Sequence, residues 1–186
     1  LARSLGGRNI VDPRSAEQGG LGEGYGQNTM PSTVYNMFKE GDTRREGTVI
    51  VYADEAKKVA EMVAKGELPA GSAFQVSDQQ ENYEGLGHYK IHPRKETTST
   101  VNPTDNYYNS WRIYRYADVL LMKSEALVRN GGNGDAELNQ VRSRVGMPDR
   151  QATLDNILAE RQLEFAWEGW RRQDLVRFGL FTRTYS

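Results

Sequence analysis

The chain has 186 residues, a formal net charge of −1 and no cysteine. This length suffices for one domain or for one large part of a larger protein. Charges of both signs are interspersed, so no basic block favours nucleic acid as a partner. The lack of cysteine excludes disulfides, thiol catalysis and cysteine metal sites, and no apolar run is long enough to predict a transmembrane helix.

The first part of the chain, residues 1–110, is rich in glycine and polar residues and predicts loops with a few short elements. The glycines at 19–26 have neither a preceding strand nor the spacing of a dinucleotide-binding turn, and therefore indicate turns. Four elements are predicted from propensity and periodicity: a helix opening at Pro31, a strand over 48–52, a helix over 53–65 and a short strand at His88–His92.

The last part, residues 111–186, predicts four helices. Apolar residues recur at helical spacing from Tyr116 to Arg129, and Asn130-Gly131 suits a left-handed cap. Capping residues and glycines set the bounds of the other three: a helix with Asp135 as its N-cap, one from its N-cap Thr153 to about Trp167, and one from Trp170 to Phe178.

Charged residues recur on faces of these helices that should be apolar. A buried charge without a partner is costly, so such residues persist only when they are paired. We therefore predict a network of ion pairs that ties the helices together, made of Asp118, Glu125, Arg142, Arg161, Glu164, Glu168, Arg171 and Asp174. Within it, Arg161 lies one turn before Glu164, and Arg171 lies three residues after Glu168.

Glu164 and Glu168 raise the alternative of paired-carboxylate catalysis, as in a glycosidase. Side chains at i and i+4 of one helix project side by side, whereas that reaction needs carboxyls on opposite sides of a sugar. Each glutamate also has an arginine within a turn, which favours the charged form and removes the proton that a general acid must carry. The sequence therefore predicts no catalytic residue.

The two histidines of the chain, His88 and His92, have the spacing of a helical metal pair. Their segment predicts extended structure, in which i and i+4 lie about 13 Å apart, too far for one ion. No further histidine or cysteine completes a ligand set, so neither a metal nor a cofactor is predicted.

An ordered series of motifs runs through the helical part. Residues 115–127 read R-Y-A-D-V-L-L-M-K-S-E-A-L, and segments 139–146, 160–171 and 174–179 follow. These segments resemble the signature of the SusD/RagB family of outer-membrane nutrient-binding lipoproteins, with Ser124 where alanine is common. Gln162 replaces an arginine of the pattern, which removes one pairing option.

Two segments of the first part extend the resemblance. Residues 24–28 are similar to an aromatic, glycine-rich turn of the family, and residues 38–45 are similar to its F-x-x-G-D-x-R element. The resemblance thus covers most of the chain. It implies a mainly α, SusD-like fold, with helices packed as in tetratricopeptide-type α/α arrays, long irregular loops and a few short strands. We expect one partial domain over 1–186, lacking segments at both ends.

The resemblance also implies a function. Members of the family are lipoproteins exposed on the outer membrane, which deliver glycans, or in some members peptides, to a SusC-like TonB-dependent transporter. We therefore expect a non-enzymatic glycan-binding protein, attached to the membrane only through an N-terminal lipid anchor that this chain does not contain. The alternatives are a peptide-binding member, a tetratricopeptide-like interaction scaffold and a glycoside hydrolase.

The family pattern identifies scaffold, so ligand-binding residues are predicted from chemistry alone. Sugars pack their C–H faces on aromatic rings and exchange hydrogen bonds with polar side chains. Six residues in two predicted loops combine these groups: Tyr107, Tyr108, Asn109, Trp111, Tyr25 and Asn28. The alternative is that these aromatics cover the helical core, since most tyrosines and tryptophans are largely buried. Trp167 and Trp170 are expected to pack between helices.

Overall fold

A computed structural model describes residues 10–22, 30–76, 84–90 and 112–182. Within these residues the chain forms seven helices and four short strands, which confirms the mainly α prediction. Two compact units are present: Leu1–Asn36 with Glu46–Ser110, and Met37–Arg45 with Trp111–Ser186. The segment Met37–Arg45 thus packs with the helical part, although its sequence position lies in the loop-rich part.

The strands of the first unit form two short antiparallel pairs. They are β1 (Ile10–Val11), β2 (Val49–Val51), β3 (Gln75–Val76) and β4 (Leu86–His88), with β1 beside β3 and β2 beside β4. The strand predicted over 48–52 is confirmed, while the one expected at His88–His92 ends at His88. Gly87 suits β4 because a Cβ there would lie 2.5 Å from the Tyr52 hydroxyl oxygen. His92 lies outside the described residues.

Three helices come before the strand β4. They are α1 (Ser32–Tyr35), α2 (Arg44–Thr48) and α3 (Tyr52–Ala64). Helix α3 agrees with the predicted helix to within one residue at each end, and its Tyr52 and Val59 pack into a core with residues of β1 and β2. The helix expected to open at Pro31 is a single turn. Phe38 lies beyond it and is buried in the second unit.

The second unit contains the four predicted helices, α4 (Tyr116–Arg129), α5 (Asp135–Ser143), α6 (Leu154–Glu164) and α7 (Arg171–Arg177). Helix α4 packs against α5 and α6, and α6 packs against α7. The core consists of the apolar residues that the helical spacing selects: Ala117, Leu120, Leu121, Leu138, Val141 and Phe165. The periodicity of the sequence therefore identified the buried faces of these helices.

Two of the predicted helix caps agree with the structure, and the predicted N-cap of α5 does not. Thr153 caps α6 by accepting a hydrogen bond from the Asn156 N–H, at 3.1 Å. Helix α4 ends at Arg129 with Asn130 as its C-cap, followed by Gly131 with φ 75°. Asp135, however, is not the N-cap of α5, because that position belongs to Gly134, and the Asp135 carboxylate accepts from the Ala152 N–H at 2.6 Å instead. Glycine is needed at 134, since a Cβ there would lie 2.6 Å from the Ser124 carbonyl oxygen.

Helix α6 stops three residues earlier than predicted. Phe165 is its C-cap, and Trp167 adopts φ 67°, a left-handed conformation that side chains other than glycine rarely adopt. The Glu168 N–H closes the turn by donating to the Phe165 carbonyl at 2.9 Å. Glu164 and Glu168 are therefore not neighbours on one helix, and the expectation that they project side by side is wrong.

Candidate functional site

The most conspicuous polar feature of the second unit is a set of buried ion pairs, and Arg161 lies at one centre of it. Its side chain is 2% exposed. The guanidinium donates to Asp118 on α4 at 2.8 Å and to Asp174 on α7 at 2.9 Å. It also lies over the Phe165 ring, 4.9 Å from the centroid. One arginine thus joins three helices.

Glu160 forms a second centre, because both of its oxygens accept from buried arginines. Arg44 of the segment Met37–Arg45 donates to one oxygen at 2.6 Å, and Arg142 of α5 donates to the other at 2.6 Å. Arg44 also donates to Asp42 through two nitrogens. Burial would lower the pKa of Arg44, but the hydrogen bond to Asp42 and the charge of Glu160 outweigh it and raise that pKa.

Glu164 and Glu168 meet at Arg115, which immediately precedes α4. Arg115 donates to Glu164 at 2.7 Å and to Glu168 at 2.7 Å. Glu164 also accepts from Arg144 at 2.9 Å and from Arg44 at 3.3 Å. The cation between the two glutamates is therefore Arg115, whereas Arg161, three residues before Glu164 in the sequence, faces α4 and α7. Arg171 begins α7 and is half-buried.

Glu125 of α4 forms the outermost part of the network. Arg177 of α7 donates to both of its oxygens, at 2.7 and 2.9 Å, and Arg129 donates at 2.8 Å. Burial raises the pKa of the Glu125 carboxyl, but the hydrogen bonds from Arg177 and Arg129 outweigh it and hold that pKa below its usual range. Glu125 is therefore a charged partner in this pairing.

The lowered pKa of Glu125 predicts a dependence of stability on pH. Because the carboxyl titrates at a higher pH in the unfolded chain, its contribution is fully present above the ordinary glutamate pKa of about 4.3 and is lost as pH falls through the folded pKa. We expect the free energy of unfolding to decrease from about pH 4.3 downward, and to decrease less steeply in Glu125→Gln. Urea titrations at a series of pH values check this, and equal slopes in both proteins would contradict it.

The predicted residues that form ion pairs in this network are Asp118, Glu125, Arg142, Arg161, Glu164, Glu168 and Asp174. Further residues complete the network and were not predicted. The missed residues are Asp42, Arg44, Arg115, Arg144, Glu160 and Arg177. All six lie inside the family motifs quoted for the resemblance, at positions with no apolar periodicity of their own. A search for charged residues at motif positions, in place of charged residues on apolar faces, would have found them.

The predicted ligand-binding residues are separate from this network in the sequence. Tyr107, Tyr108, Asn109, Trp111, Tyr25 and Asn28 lie outside the described residues, and their role stays a prediction. Trp170 packs against the core of the second unit, as expected, and its ring lies 5.5 Å from that of Tyr114. Across residues 10–22, 30–76, 84–90 and 112–182, no cluster of side chains could hold a metal ion, and no helix is long and apolar enough to cross a membrane.

Comparisons with known proteins identify the family to which this fold belongs. The sequence model of the SusD family matches residues 13–186. The chain belongs to the SusD family. Its resemblance to that family and the SusD-like fold predicted from the sequence are both confirmed.

Three relatives illustrate the match of this SusD-family chain. The starch-binding protein SusD of Bacteroides thetaiotaomicron is 38% identical over 72 residues, which are 38% of this chain and 13% of that protein. Surface glycan-binding protein A of the same organism, solved with laminarihexaose, is 27% identical with a TM-score of 0.76 over 97% of this chain and 38% of that one. A laminarin-binding SusD-like protein is 31% identical with a TM-score of 0.75 over 97% of this chain and 36% of that one. The chain therefore spans less than two-fifths of the length of these relatives.

Proposed function

We propose that this chain is part of a non-enzymatic glycan-binding protein of the outer-membrane surface. The observation that carries the proposal is its likeness to the complex with laminarihexaose, at 27% identity and a TM-score of 0.76 over 97% of the chain. A laminarin-binding protein is similar at 31% identity. Because both relatives are named for laminarin or its hexasaccharide, laminarin oligosaccharides are the first ligands to test.

The ion pairs support binding over hydrolysis. Glycoside hydrolysis needs one protonated carboxyl and a second carboxylate that can reach the sugar. Glu164 is buried and accepts hydrogen bonds from Arg44, Arg115 and Arg144, so its carboxylate cannot reach a sugar. Both oxygens of Glu160 are likewise occupied by arginines. The network is a structural element, and we assign it no catalytic role.

The network supports a ligand site indirectly, through the segment that enters α4. Arg115 is fixed by Glu164 and Glu168, four residues after Trp111. Binding loops are commonly positioned by rigid elements at their ends. We propose that the loop with Tyr107, Tyr108, Asn109 and Trp111 binds sugar by stacking and hydrogen bonding, and that Tyr25 and Asn28 contribute from a second loop.

Replacing Trp111 with alanine is expected to weaken glycan binding on the order of tenfold. Loss of one stacked ring removes roughly 1.5 kcal/mol, and 1.4 kcal/mol corresponds to a factor of ten. Isothermal titration with laminarihexaose and with maltohexaose measures the affinities, the second sugar being chosen for the starch-binding relative.

The matched control for this measurement is Tyr116→Ala. Tyr116 is an aromatic residue that is 67% exposed on α4 and lies outside the predicted loops. Its removal should change glycan affinity less than twofold. An equal loss in both variants would assign the Trp111 effect to folding, and no binding to any sugar of a glycan array, with capture of peptides instead, would overturn the proposal in favour of a peptide-binding member.

Delivery to a transporter is the second part of the proposal. Membership of the SusD family supports a SusC-like TonB-dependent transporter as the partner and a lipid anchor as the membrane attachment. Purification of the protein from outer membranes in mild detergent tests this part. A co-purifying TonB-dependent transporter supports it, and recovery of the protein in the soluble fraction without one contradicts it.

A further inference from the structure

The turn between α4 and α5 contains the two asparagine–glycine pairs of the chain, Asn130-Gly131 and Asn133-Gly134. Such a pair can deamidate without an enzyme, because glycine has no side chain to hinder attack by its own backbone nitrogen on the asparagine before it. Both asparagines are exposed to water. The sequence therefore gives the two pairs the same chemistry, and the structure gives them different surroundings.

Deamidation begins when the glycine nitrogen bonds to the asparagine Cγ and gives up its proton to the solvent. The bond from Cγ to Nδ2 then breaks, Nδ2 takes up a proton and leaves as ammonia, and a cyclic imide remains. Water opens this ring at either carbonyl, so the product is aspartate or isoaspartate. The reaction thus consumes only water, and its rate depends on how the side chain is placed over a glycine nitrogen that can attack.

Asn130 is held in an unreactive arrangement. Its Nδ2 donates to the Ala126 carbonyl at 3.0 Å, so the side chain is turned toward the last turn of α4. The Gly131 N–H donates to the Val128 carbonyl at 3.1 Å, and this hydrogen bond must break before the nitrogen can attack. Both contacts protect Asn130.

Asn133 has the opposite arrangement. Its Oδ1 accepts from the Asp135 N–H at 2.7 Å, which folds the side chain back over the peptide bond that carries the Gly134 nitrogen. Within the described part of the chain, the Gly134 N–H donates no hydrogen bond that would have to break first. Gly134 is also fixed in position, because its carbonyl accepts from the buried Ser124 hydroxyl at 2.8 Å.

The Asp135 N–H also favours the reaction itself. Negative charge develops on the Asn133 Oδ1 as the nitrogen attacks, and a donor already at 2.7 Å stabilises that charge. The contact from the Asn133 Nδ2 to the Asp135 carboxylate is longer, at 3.3 Å, and holds the leaving group less firmly. We propose that Asn133 is a site of spontaneous deamidation and that Asn130 is protected from it. This inference is independent of which ligand the protein binds.

The wild-type chain tests the proposal, with Asn130 as the internal control. It is incubated at mildly alkaline pH in two states, folded in buffer and unfolded in concentrated urea, and samples are taken over time. Trypsin cleaves after Arg129 and Arg142, so one peptide, 130–142, carries both asparagines. Mass spectrometry of this peptide measures the conversion, and its fragment ions assign aspartate or isoaspartate to each position.

In the folded chain we expect Asn133 to convert roughly ten times faster than Asn130, because only the control must first lose the hydrogen bond of its glycine N–H. In urea the two rates should become similar, since each asparagine then precedes an unconstrained glycine. Equal rates in the folded chain, or protection of both asparagines there, would overturn the proposal. A preference for Asn133 that persists in urea would also overturn it, because the preference would then come from the sequence and not from the fold.

Discussion

Replacing Arg161 with alanine is expected to lower the free energy of unfolding by about 3–5 kcal/mol. The side chain is 2% exposed and donates to two aspartates, Asp118 and Asp174, which are also buried. Its removal takes from the buried Asp118 its ion-pair partner Arg161 and leaves Asp174 with Arg177 alone, and it removes the contact with the Phe165 ring. A buried charge that loses its partner costs more than the pair itself contributes, so the effect exceeds the value of an ordinary ion pair.

Urea unfolding followed by circular dichroism measures this loss by linear extrapolation. Arg129→Ala is the matched control, because the Arg129 side chain is 41% exposed and shares Glu125 with Arg177. We expect the control to cost less than about 1 kcal/mol, as surface ion pairs do. A loss below about 1 kcal/mol in Arg161→Ala as well would show that the network is solvated in solution.

The sequence predicted the helices of the second unit because their apolar periodicity is strong. Ala117, Leu120 and Leu121 all lie in the core that this spacing selects. The early end of α6 was not predicted, because it depends on Trp167 in a left-handed conformation, which a tryptophan's own preferences do not favour. At Trp167, the packing of the folded protein outweighs the backbone conformation that a tryptophan prefers by itself.

The partners within the charged network could not be predicted from the sequence. Arg115 and Glu164 are separated by 49 residues, and Arg44 and Glu160 by 116. Spacing along one helix identifies which charges share a face, but the pairing depends on how the helices pack. The nearest arginine in sequence, Arg161, was therefore the wrong partner for Glu164.

The ligand site is harder to predict for a related physical reason. A core is specified by repeated apolar spacing, whereas a sugar site needs a few aromatic and polar groups on loops that have no periodicity. Arg115 links the helical core to the proposed ligand site. It lies four residues after Trp111, the end of the tyrosine-rich segment, and its ion pairs with Glu164 and Glu168 hold it in place. We therefore expect the family motif to position the proposed binding loop without being part of it.

Replacing Arg44 with alanine is also expected to lower the free energy of unfolding by about 3–5 kcal/mol. Unlike the effect of Arg161→Ala, the structural disruption should be confined to one segment. Arg44 is buried and donates to Asp42 and to Glu160, each at 2.6 Å. Glu160 keeps Arg142 when Arg44 is removed, whereas the buried Asp42 loses both of its bonds from the guanidinium. The disruption should therefore concentrate in the segment Met37–Arg45.

Hydrogen exchange distinguishes this local effect from general unfolding. The Thr43 N–H donates to the Val145 carbonyl at 3.2 Å, so its exchange rate reports whether the segment Met37–Arg45 is docked. In Arg44→Ala we expect this amide to exchange at least ten times faster, with α4 amides much less affected. Arg44→Lys should recover only part of the protection, because an ammonium group keeps the charge but cannot engage Asp42 and Glu160 with a planar fork.

Lys39→Ala is the control for this experiment, since Lys39 is exposed on the same segment. It should leave both stability and the exchange of the Thr43 amide unchanged. Equal acceleration of exchange throughout the second unit in Arg44→Ala would contradict a local role for this arginine. Full recovery in Arg44→Lys would show that charge alone suffices, and that the two-pronged geometry at Asp42 contributes nothing to holding the segment in place.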